Sequence, residues 1–333
     1  MSSTKVIVVL GATGNQGGSV ANTFLEKSGW QVRAVTRDTS GANAQALAKR
    51  GAQVVSADFD KPGTLSAVLE GAHAIFAVSN FWALYGEIAS QGISEPEKPL
   101  NVLAAERETQ QLKNVIDAAA NVPTLERFVL SSLSDSTKWS KGKYPHVYHF
   151  DSKAKAEDYT IATYPELWKK TSTLQAGIFL SNFVSQPYFK VTKAKVDEGS
   201  VQFKGHLVAD VKFPFIAPEE DTGPIVEALV KEPAGKRVIA YRQWLTMSEL
   251  SEAFTKATGI KSEVVAIPLN EFHVPLPDDL KLELAENCGY WNEFGYEGRE
   301  DPTVIHPKDL ETSLSLGTAE EFFKKQDWKQ ALS

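Results

Sequence analysis

The 333-residue sequence contains a single cysteine, Cys288. One thiol excludes an intramolecular disulfide and a zinc site built from several cysteines, and it suits a reducing compartment. No stretch approaches the roughly 18 consecutive apolar residues of a membrane span, and the apolar run near the N-terminus is too short for a signal peptide. We therefore expect a cytoplasmic protein, with the nucleus as a second location.

The sequence also lacks an excess of positive charge. Lys and Arg number 35 against 42 Asp and Glu, which gives a net charge of −7. Such a chain repels a phosphate backbone or an anionic membrane unless a basic patch intervenes, and none is visible. We expect no direct nucleic-acid binding and no membrane binding. The hydrophobic share of 42% and the charged share of 23% are typical of a folded globular protein.

Short β-branched runs alternate with amphipathic segments through the first half of the chain. The runs are "KVIVVL", "QVRAVT", "AQVVSA", "HAIFAV" and "RFVLSS", and "TSTLQAGI" adds a sixth. This alternation predicts an α/β fold with a Rossmann-like doubly wound parallel sheet. Beyond it we expect helices at about 219–231 and 248–258 and a strand in "SEVVAIP". The predicted division is 1–178 for the sheet domain and 179–333 for a smaller α/β lobe, partly interleaved with the first.

Three glycines follow the first predicted strand in "VVLGATGNQGGSV" and open a helix. Glycine lets the backbone come close to a pyrophosphate, and the N–H groups of the next helix favour its negative charge. This context predicts a dinucleotide site, although a tight turn without a ligand would use the same glycines. The predicted contacts in this turn are Gly11, Thr13, Gly14, Asn15, Gln16 and Gly17.

Cofactor choice is usually decided at the end of the second strand. Arg37 stands there instead of an acidic residue, and its guanidinium suits the extra phosphate of NADP. We therefore expect NADP(H) rather than NAD(H), although Asp38 could pair with Arg37 instead. After the third strand, Asp58 and Phe59 stand where an adenine edge is usually contacted.

Six sequence blocks follow one another in the order in which a known protein family has them: "GATGNQGGSV", "VTRD", "FAVSNFW", "SSLSD", "HFDSKAKAEDY" and "QAGIFLSNF". Over most of its length the sequence resembles the NmrA-like family of atypical short-chain dehydrogenase/reductases, and it is most similar to the branch of the human NmrA-like redox sensor. The resemblance implies NADP(H) on the first half, in either a reductase or a regulator. It also implies cofactor contacts at Val78, Asn80, Lys153, Gly177, Phe179 and Asn182.

Short-chain reductases use a Tyr and a Lys four residues apart on one helix face. Counting back four residues from Lys153 gives His149, so the expected tyrosine is absent and Tyr148 is its neighbour. His149 has a suitable unperturbed pKa for proton transfer, whereas Tyr148 could serve only if the helix were turned. Ser132 closes the fifth strand, where a serine orients the substrate or contacts the cofactor. We expect no metal at this site, because no carboxylate set accompanies the histidines.

The segment 79–99 predicts a long connection that folds over the cofactor, with an inert surface insertion as the alternative. Its aromatic residues Phe81, Trp82 and Tyr85 border the expected nicotinamide site. They could bind a flat hydrophobic substrate, or they could belong to the core.

Two functions follow from these features. The first is an NADPH-dependent reductase of a small hydrophobic carbonyl, imine or enone compound, with Lys153 orienting the ribose and His149 or Tyr148 supplying the proton. The second is a non-catalytic NADP(H) redox sensor that regulates a protein partner and so affects transcription by protein contact. The retained lysine and the aromatic site favour the reductase, and the missing tyrosine favours the sensor.

Overall fold

The computed structural model describes residues 4–95, 97–194 and 199–332. Its β-branched runs form strands, as their alternation with amphipathic segments predicts. In chain order the strands are β1 (Lys5–Leu10), β2 (Trp30–Thr36), β3 (Gln53–Ser56), β4 (Ala74–Ala77), β5 (Arg127–Ser132), β6 (Thr171–Ala176), β7 (Ile178–Phe179), β8 (Thr192–Lys193), β9 (Ser200–Gly205), β10 (Lys212–Ile216), β11 (Arg237–Ala240), β12 (Gln243–Thr246), β13 (Lys261–Ala266) and β14 (Val304–Ile305).

The helices fall between these strands. They are α1 (Asn15–Leu25), α2 (Ala42–Lys49), α3 (Leu65–Leu69), α4 (Phe81–Ser90), α5 (Leu100–Ala120), α6 (Ser136–Trp139), α7 (Tyr148–Thr163), α8 (Pro165–Trp168), α9 (Asn182–Ser185), α10 (Pro218–Lys231), α11 (Met247–Thr258), α12 (Asp278–Phe294), α13 (Ala319–Lys324) and α14 (Trp328–Ala331). The predicted segments at 219–231 and 248–258 correspond to α10 and α11, and the predicted strand near 263 is β13.

The large sheet has the order β14-β11-β6-β5-β4-β1-β2-β3, and every pairing in it is parallel. This is the predicted doubly wound parallel sheet, so the fold class is confirmed. The direction of winding reverses between β1 and β4, and ligands of such sheets bind at the carboxyl ends of the strands beside that point. The central strands β4, β5 and β6 are buried on both faces, which explains the apolar runs of β4 and β5.

The chain returns to this sheet late in the sequence. Strands β11 and β14 extend its edge beyond β6, and α10 packs against α1. The contact is close at Gly223, whose backbone N–H donates to Ser19 Oγ at 2.9 Å. A Cβ at Gly223 would lie 2.1 Å from Thr23 Oγ1. The sheet therefore draws elements from both sides of residue 178, and the division at that residue stays a prediction.

Two three-stranded sheets lie in the C-terminal part, with the orders β12-β10-β7 and β13-β9-β8. An aromatic-rich core joins them to α11, α12 and α13. Helix α11 begins with a capping box between Thr246 and Glu249 and ends at Gly259, whose φ is +73°. These are standard start and stop signals. Within the described residues, no helix combines the length and hydropathy that a bilayer crossing requires.

The segment 79–99, predicted to be a long connection, contains a helix of its own. Residues Phe81–Ser90 form helix α4, which the side chain of Asn80 caps by accepting from the backbone N–H of Ala83 at 3.1 Å. The apolar residues of α4 pack on α5 in a separate small cluster. Burial of this face accounts for the helix, which the length of the connection alone did not reveal.

Candidate functional site

The glycine turn lies between β1 and α1 at the switch point of the sheet. Gly11 has a φ of +70°, and a Cβ there would lie 2.9 Å from the side chain of Val78, which follows β4. A Cβ at Gly17 would lie 2.2 Å from the carbonyl oxygen of Gly11. Both positions therefore require glycine for reasons internal to the protein: one for its backbone angle, the other for close packing.

Gly14 differs from the other two glycines. It is the N-cap of α1, with φ −91°, and no side chain among the described residues caps the helix there. A Cβ at Gly14 would meet only the carbonyl oxygen of Gly11, at an ordinary 3.5 Å. The protein alone therefore tolerates a side chain at this position. The bare helix end fits a pyrophosphate, whose oxygens can accept from the first N–H groups of α1.

Neighbouring strand ends are tied to this turn. Ser131 Oγ donates to Gln16 Oε1 at 2.9 Å, which joins the end of β5 to α1. The hydroxyls of Thr13 and Thr36 lie 3.4 Å apart and join the turn to the end of β2. The predicted contacts thus lie together at the carboxyl edge of the sheet, with Gly11, Thr13 and Gly14 in the turn and Asn15, Gln16 and Gly17 in the first turn of α1.

Arg37 follows β2 at the same edge, with 65% of its side chain exposed. Its Nη1 lies 3.5 Å from Glu87 Oε2 of α4. The alternative partner, Asp38, instead accepts from the backbone N–H and the hydroxyl of Ser40 at 2.8 and 2.6 Å. These hydrogen bonds lower the pKa of Asp38. The guanidinium therefore stays available to an anion at the strand end.

A second arginine occupies the other side of Glu87. Arg107 Nη2 donates to Glu87 Oε1 at 3.0 Å and to Asp60 Oδ2 at 2.6 Å. Burial opposes ionisation of Asp60, but hydrogen bonds from Arg107 and Gln111 keep its pKa below the ordinary value. This network holds α5 against α4 and the loop after β3.

The predicted adenine contacts Asp58 and Phe59 lie in that same loop. Asp58 Oδ2 is 3.5 Å from Lys61 Nζ, and the carbonyl oxygen of Phe59 accepts from Asn114 Nδ2 at 2.8 Å. Both residues are half-buried. After β4, the hydroxyl oxygen of Ser79 is buried without a hydrogen-bond partner in the described structure. Sequence reasoning did not single out Ser79.

Lys153 lies on α7 and is almost fully buried, at 8% exposure. Its Nζ donates to both carboxylate oxygens of Glu108 at 2.9 Å and to the carbonyl oxygen of His149 at 3.0 Å. Ser152 Oγ also donates to Glu108. An ammonium group has three donors, so these contacts use all of them. Lys153 can reach a ribose hydroxyl only by exchanging one of these acceptors.

His149 lies one helical turn before Lys153, on the same face of α7. Its Nδ1 is 2.6 Å from Glu283 Oε1 of α12, and its backbone N–H donates to the same oxygen at 3.0 Å. The ring centroid lies 4.9 Å from that of Trp82, which is 44% exposed. The buried imidazole therefore has a carboxylate at one nitrogen and an accessible aromatic surface beside it.

Tyr148 is the first residue of α7 and packs against the α4–α5 cluster. Burial raises the pKa of its phenol, and the carboxylates of Glu283 and Glu286 raise it further. A phenol with a raised pKa holds its proton more firmly, which makes Tyr148 a weaker acid than an ordinary tyrosine.

Other predicted residues lie at separate places on the same edge. Ser132 Oγ donates to the carbonyl oxygen of Leu133 at 3.4 Å. Gly177 lies between β6 and β7, where a Cβ would be 2.6 Å from the carbonyl oxygen of Pro214, so close backbone packing already explains it. Phe179 packs on the cluster that also contacts Val78, and Asn182 begins α9. The described structure gives no direct contact that joins Asn182 to the glycine turn.

Glu108, Glu283 and Glu87 are the functional candidates that sequence reasoning missed. Each lies inside a helix far along the chain from its partner. A glutamate in an amphipathic helix is normally solvent-exposed, so nothing in the sequence separated the buried Glu108 and Glu283 from the others.

The chain is similar to known proteins along nearly its whole length. The NmrA-like family model matches residues 3–329. The chain is 29% identical over 339 residues to the NmrA-like family domain-containing oxidoreductase hkm9 of Aspergillus hancockii, covering 95% of this chain and 92% of that protein.

Solved structures show the same fold. The chain resembles NmrA, a negative transcriptional regulator, in complex with NAD (TM-score 0.71) and in complex with NADP (TM-score 0.69). In both comparisons the identity is 20%, over 98% of this chain and 95% of the other. The similarity to the branch of the human redox sensor stays a prediction.

Proposed function

Because this chain belongs to the NmrA-like family, we propose that it is an NADPH-dependent reductase of a small hydrophobic carbonyl, imine or enone compound. The observation that carries the proposal is the buried His149 ring, which lies one turn before Lys153 and beside the exposed indole of Trp82. This arrangement puts a proton donor next to an apolar platform at the carboxyl edge of the sheet.

The proposed cofactor site fits the residues present. The uncapped N-terminus of α1 at Gly14 receives the pyrophosphate, and Arg37 contacts the 2′-phosphate. When bound, NADPH supplies the hydride that reduces the electrophilic carbon of the substrate. We extend the proposed cofactor contacts to Gly11, Thr13, Asn15, Gln16, Gly17, Asp58, Phe59, Val78, Asn80, Lys153, Gly177, Phe179 and Asn182.

His149 is the proposed catalytic acid. As an imidazolium it gives the Nε2 proton to the oxygen or nitrogen that receives the electron pair, or to the carbon of an enolate, and it remains as the Nδ1–H tautomer. Ser132 orients the polar atom of the substrate. Tyr148 stays the alternative donor, with the disadvantage of its raised pKa.

One observation favours the second function, a cytoplasmic or nuclear NADP(H) sensor that regulates a protein partner. All three donors of Lys153 are used inside the protein, which is compatible with a structural rather than a catalytic lysine. The aromatic platform and the buried histidine give the reductase the stronger support.

The experiment follows the loss of nicotinamide absorbance when NADPH meets a panel of quinones, enones and cyclic imines. We expect substrate-dependent turnover that falls by about 10²–10⁴-fold in His149→Phe, the usual contribution of a general acid. The NADPH affinity of the variant, measured by calorimetry, should equal that of the wild type. Tight NADPH binding without turnover of any compound would move the assignment to the sensor.

A further inference from the structure

A buried carboxylate of the C-terminal part contacts the proposed proton donor. Glu283 lies on α12 and is fully buried. Its Oε1 accepts from the backbone N–H of His149 at 3.0 Å and lies 2.6 Å from Nδ1 of the same residue. Glu283 thus reaches α7 from a distant part of the chain and makes two contacts to one residue.

The contacts around Glu283 decide which ring nitrogen carries the hydrogen. A backbone N–H can only donate, so Oε1 is an acceptor. The other oxygen, Oε2, accepts from Asn101 Nδ2 of α5 at 3.0 Å. The carboxylate form of Glu283 has no hydrogen to donate, so its short contact to the ring places a hydrogen on His149 Nδ1. The remaining nitrogen, Nε2, is then the atom at which the ring gains and loses its exchangeable proton.

We infer that Glu283 is the positioning residue of the site: it fixes His149 in the Nδ1–H tautomer, so that Nε2 delivers the proton to substrate. This inference rests on the proposed function and deepens it. It also makes the proton donor depend on docking of α12 against α7, because neither helix alone holds the pair. Glu283 acts only through His149 and touches no reacting atom.

The chain offers a matched control one helical turn further along α12. Glu286 Oε2 accepts from the backbone N–H of His146 at 2.8 Å, and its Oε1 lies 2.7 Å from Nδ1 of that residue. Each glutamate contacts the backbone N–H and Nδ1 of one histidine, Glu283 through one oxygen and Glu286 through two. His146 has a more exposed ring and lies before α7 begins. If both glutamates only hold α12 against the start of α7, substituting either one should have the same effect on kcat. If Glu283 positions His149, only the substitution of Glu283 should lower kcat.

The kinetic test compares Glu283→Gln with Glu286→Gln on a compound that the wild type reduces. The first variant replaces the carboxyl group with an amide of the same shape, and we expect kcat to fall by about 10–100-fold, the usual cost of losing a residue that orients a metal-bound histidine. KM should remain unchanged, because Glu283 does not touch substrate. Glu286→Gln should retain the wild-type kcat. Equal losses in both variants would overturn the inference.

A spectroscopic test needs no substrate and therefore separates this inference from the proposed function. Nitrogen-15 chemical shifts of the histidine rings, assigned with His149→Gln, report which nitrogen carries the hydrogen in the folded protein. We expect Nδ1–H at His149 in the wild type, and a shift towards Nε2–H in Glu283→Leu. A wild-type ring with its hydrogen on Nε2 would overturn the inference even without a variant. If His149 is in the Nδ1–H tautomer but the protein reduces none of the compounds, the tautomer inference stands and only the proposed reductase function is contradicted.

Discussion

Arg37 and Glu87 face each other across the proposed cofactor edge, with Nη1 of the arginine 3.5 Å from Oε2 of the glutamate. The contact joins the end of β2 to α4. Most of the arginine side chain remains exposed, and the separation exceeds that of a charge-assisted hydrogen bond. A phosphate at this edge would therefore compete with Glu87 for the same guanidinium.

The first prediction concerns cofactor choice. Arg37→Ala should weaken NADP binding by about 1.5–3 kcal/mol, the range for a hydrogen bond to a charged group, and should leave NAD binding almost unchanged. Glu87→Gln should strengthen NADP binding, because it removes the competing carboxylate. Calorimetric titration with both nucleotides measures these changes. Equal losses for NAD and NADP in Arg37→Ala would place the extra phosphate elsewhere.

The second prediction separates ligand contact from protein packing in the glycine turn. Gly14→Ala should preserve the melting temperature, since its Cβ meets only ordinary contact, but it should lower nucleotide affinity at least about tenfold by occupying the space of the pyrophosphate. Gly17→Ala should lower both the melting temperature and the nucleotide affinity, because its Cβ would clash with the backbone of Gly11. Gly18→Ala, with its Cβ 3.5 Å from the nearest atom, is the control. Unchanged affinity in Gly14→Ala would remove the proposed pyrophosphate site.

The third prediction tests the contact between α1 and α10. Gly223→Ala would bring a Cβ to 2.4 Å from the carbonyl oxygen of Ser19, so the helices must separate. We expect a loss of about 1–3 kcal/mol in the free energy of unfolding, which is typical of overpacking, measured by urea titration. Gly86→Ala in α4 is the control, because in the described structure no atom lies within 4 Å of its added Cβ. Similar stability of the two variants would contradict the close helix contact.

The fourth prediction concerns the buried carboxyl of Glu157. Burial raises its pKa to about 7, while Arg237, whose Nη1 lies 2.7 Å from Oε2, opposes the increase. Asp158 and Asp301 raise the pKa further. The folded protein therefore keeps this proton to higher pH than the unfolded chain does.

The sign of the pH effect follows from proton linkage. Between the ordinary pKa of 4.5 and about 7 the folded state binds more protons than the unfolded state, so Glu157 makes the free energy of unfolding fall as pH rises. The Glu157→Gln variant should lack this decline. Its free energy of unfolding should therefore increase relative to that of the wild type from pH 5 to pH 8, by about 3 kcal/mol at most, at 1.36 kcal/mol per pKa unit. A constant difference between wild type and variant across this range would contradict the raised pKa.

The sequence predicted the architecture well because the spacing of hydrophobic residues and the position of glycines in turns are local signals. Strands β1 to β6 and the turn at Gly11 lie where the β-branched runs and glycines indicated. Helix α4 was not predicted, since its apolar face is recognisable only once α5 packs against it. The late return of β11 and β14 to the sheet was equally hidden, because pairing partners are set by tertiary contacts.

The candidate site was predicted as a set of positions but not as a set of contacts. Lys153 followed from the family resemblance and His149 from the four-residue spacing counted back from it, and the structure brings them together through the contact of Lys153 Nζ with the carbonyl oxygen of His149. Their partners Glu283 and Glu108 lie 134 and 45 residues away, respectively. No local pattern marks a glutamate for burial against a distant histidine or lysine.

The late strands have a consequence for the order in which the protein matures. Helix α1 is supported by α10, which begins at Pro218, and the outer edge of the sheet closes only at Ile305. During translation the N-terminal half therefore leaves the ribosome before α10 can pack on α1 and before β11 and β14 join the sheet. A chain that stops before Pro218 therefore lacks both the helix that packs on α1 and the outer strands of the large sheet.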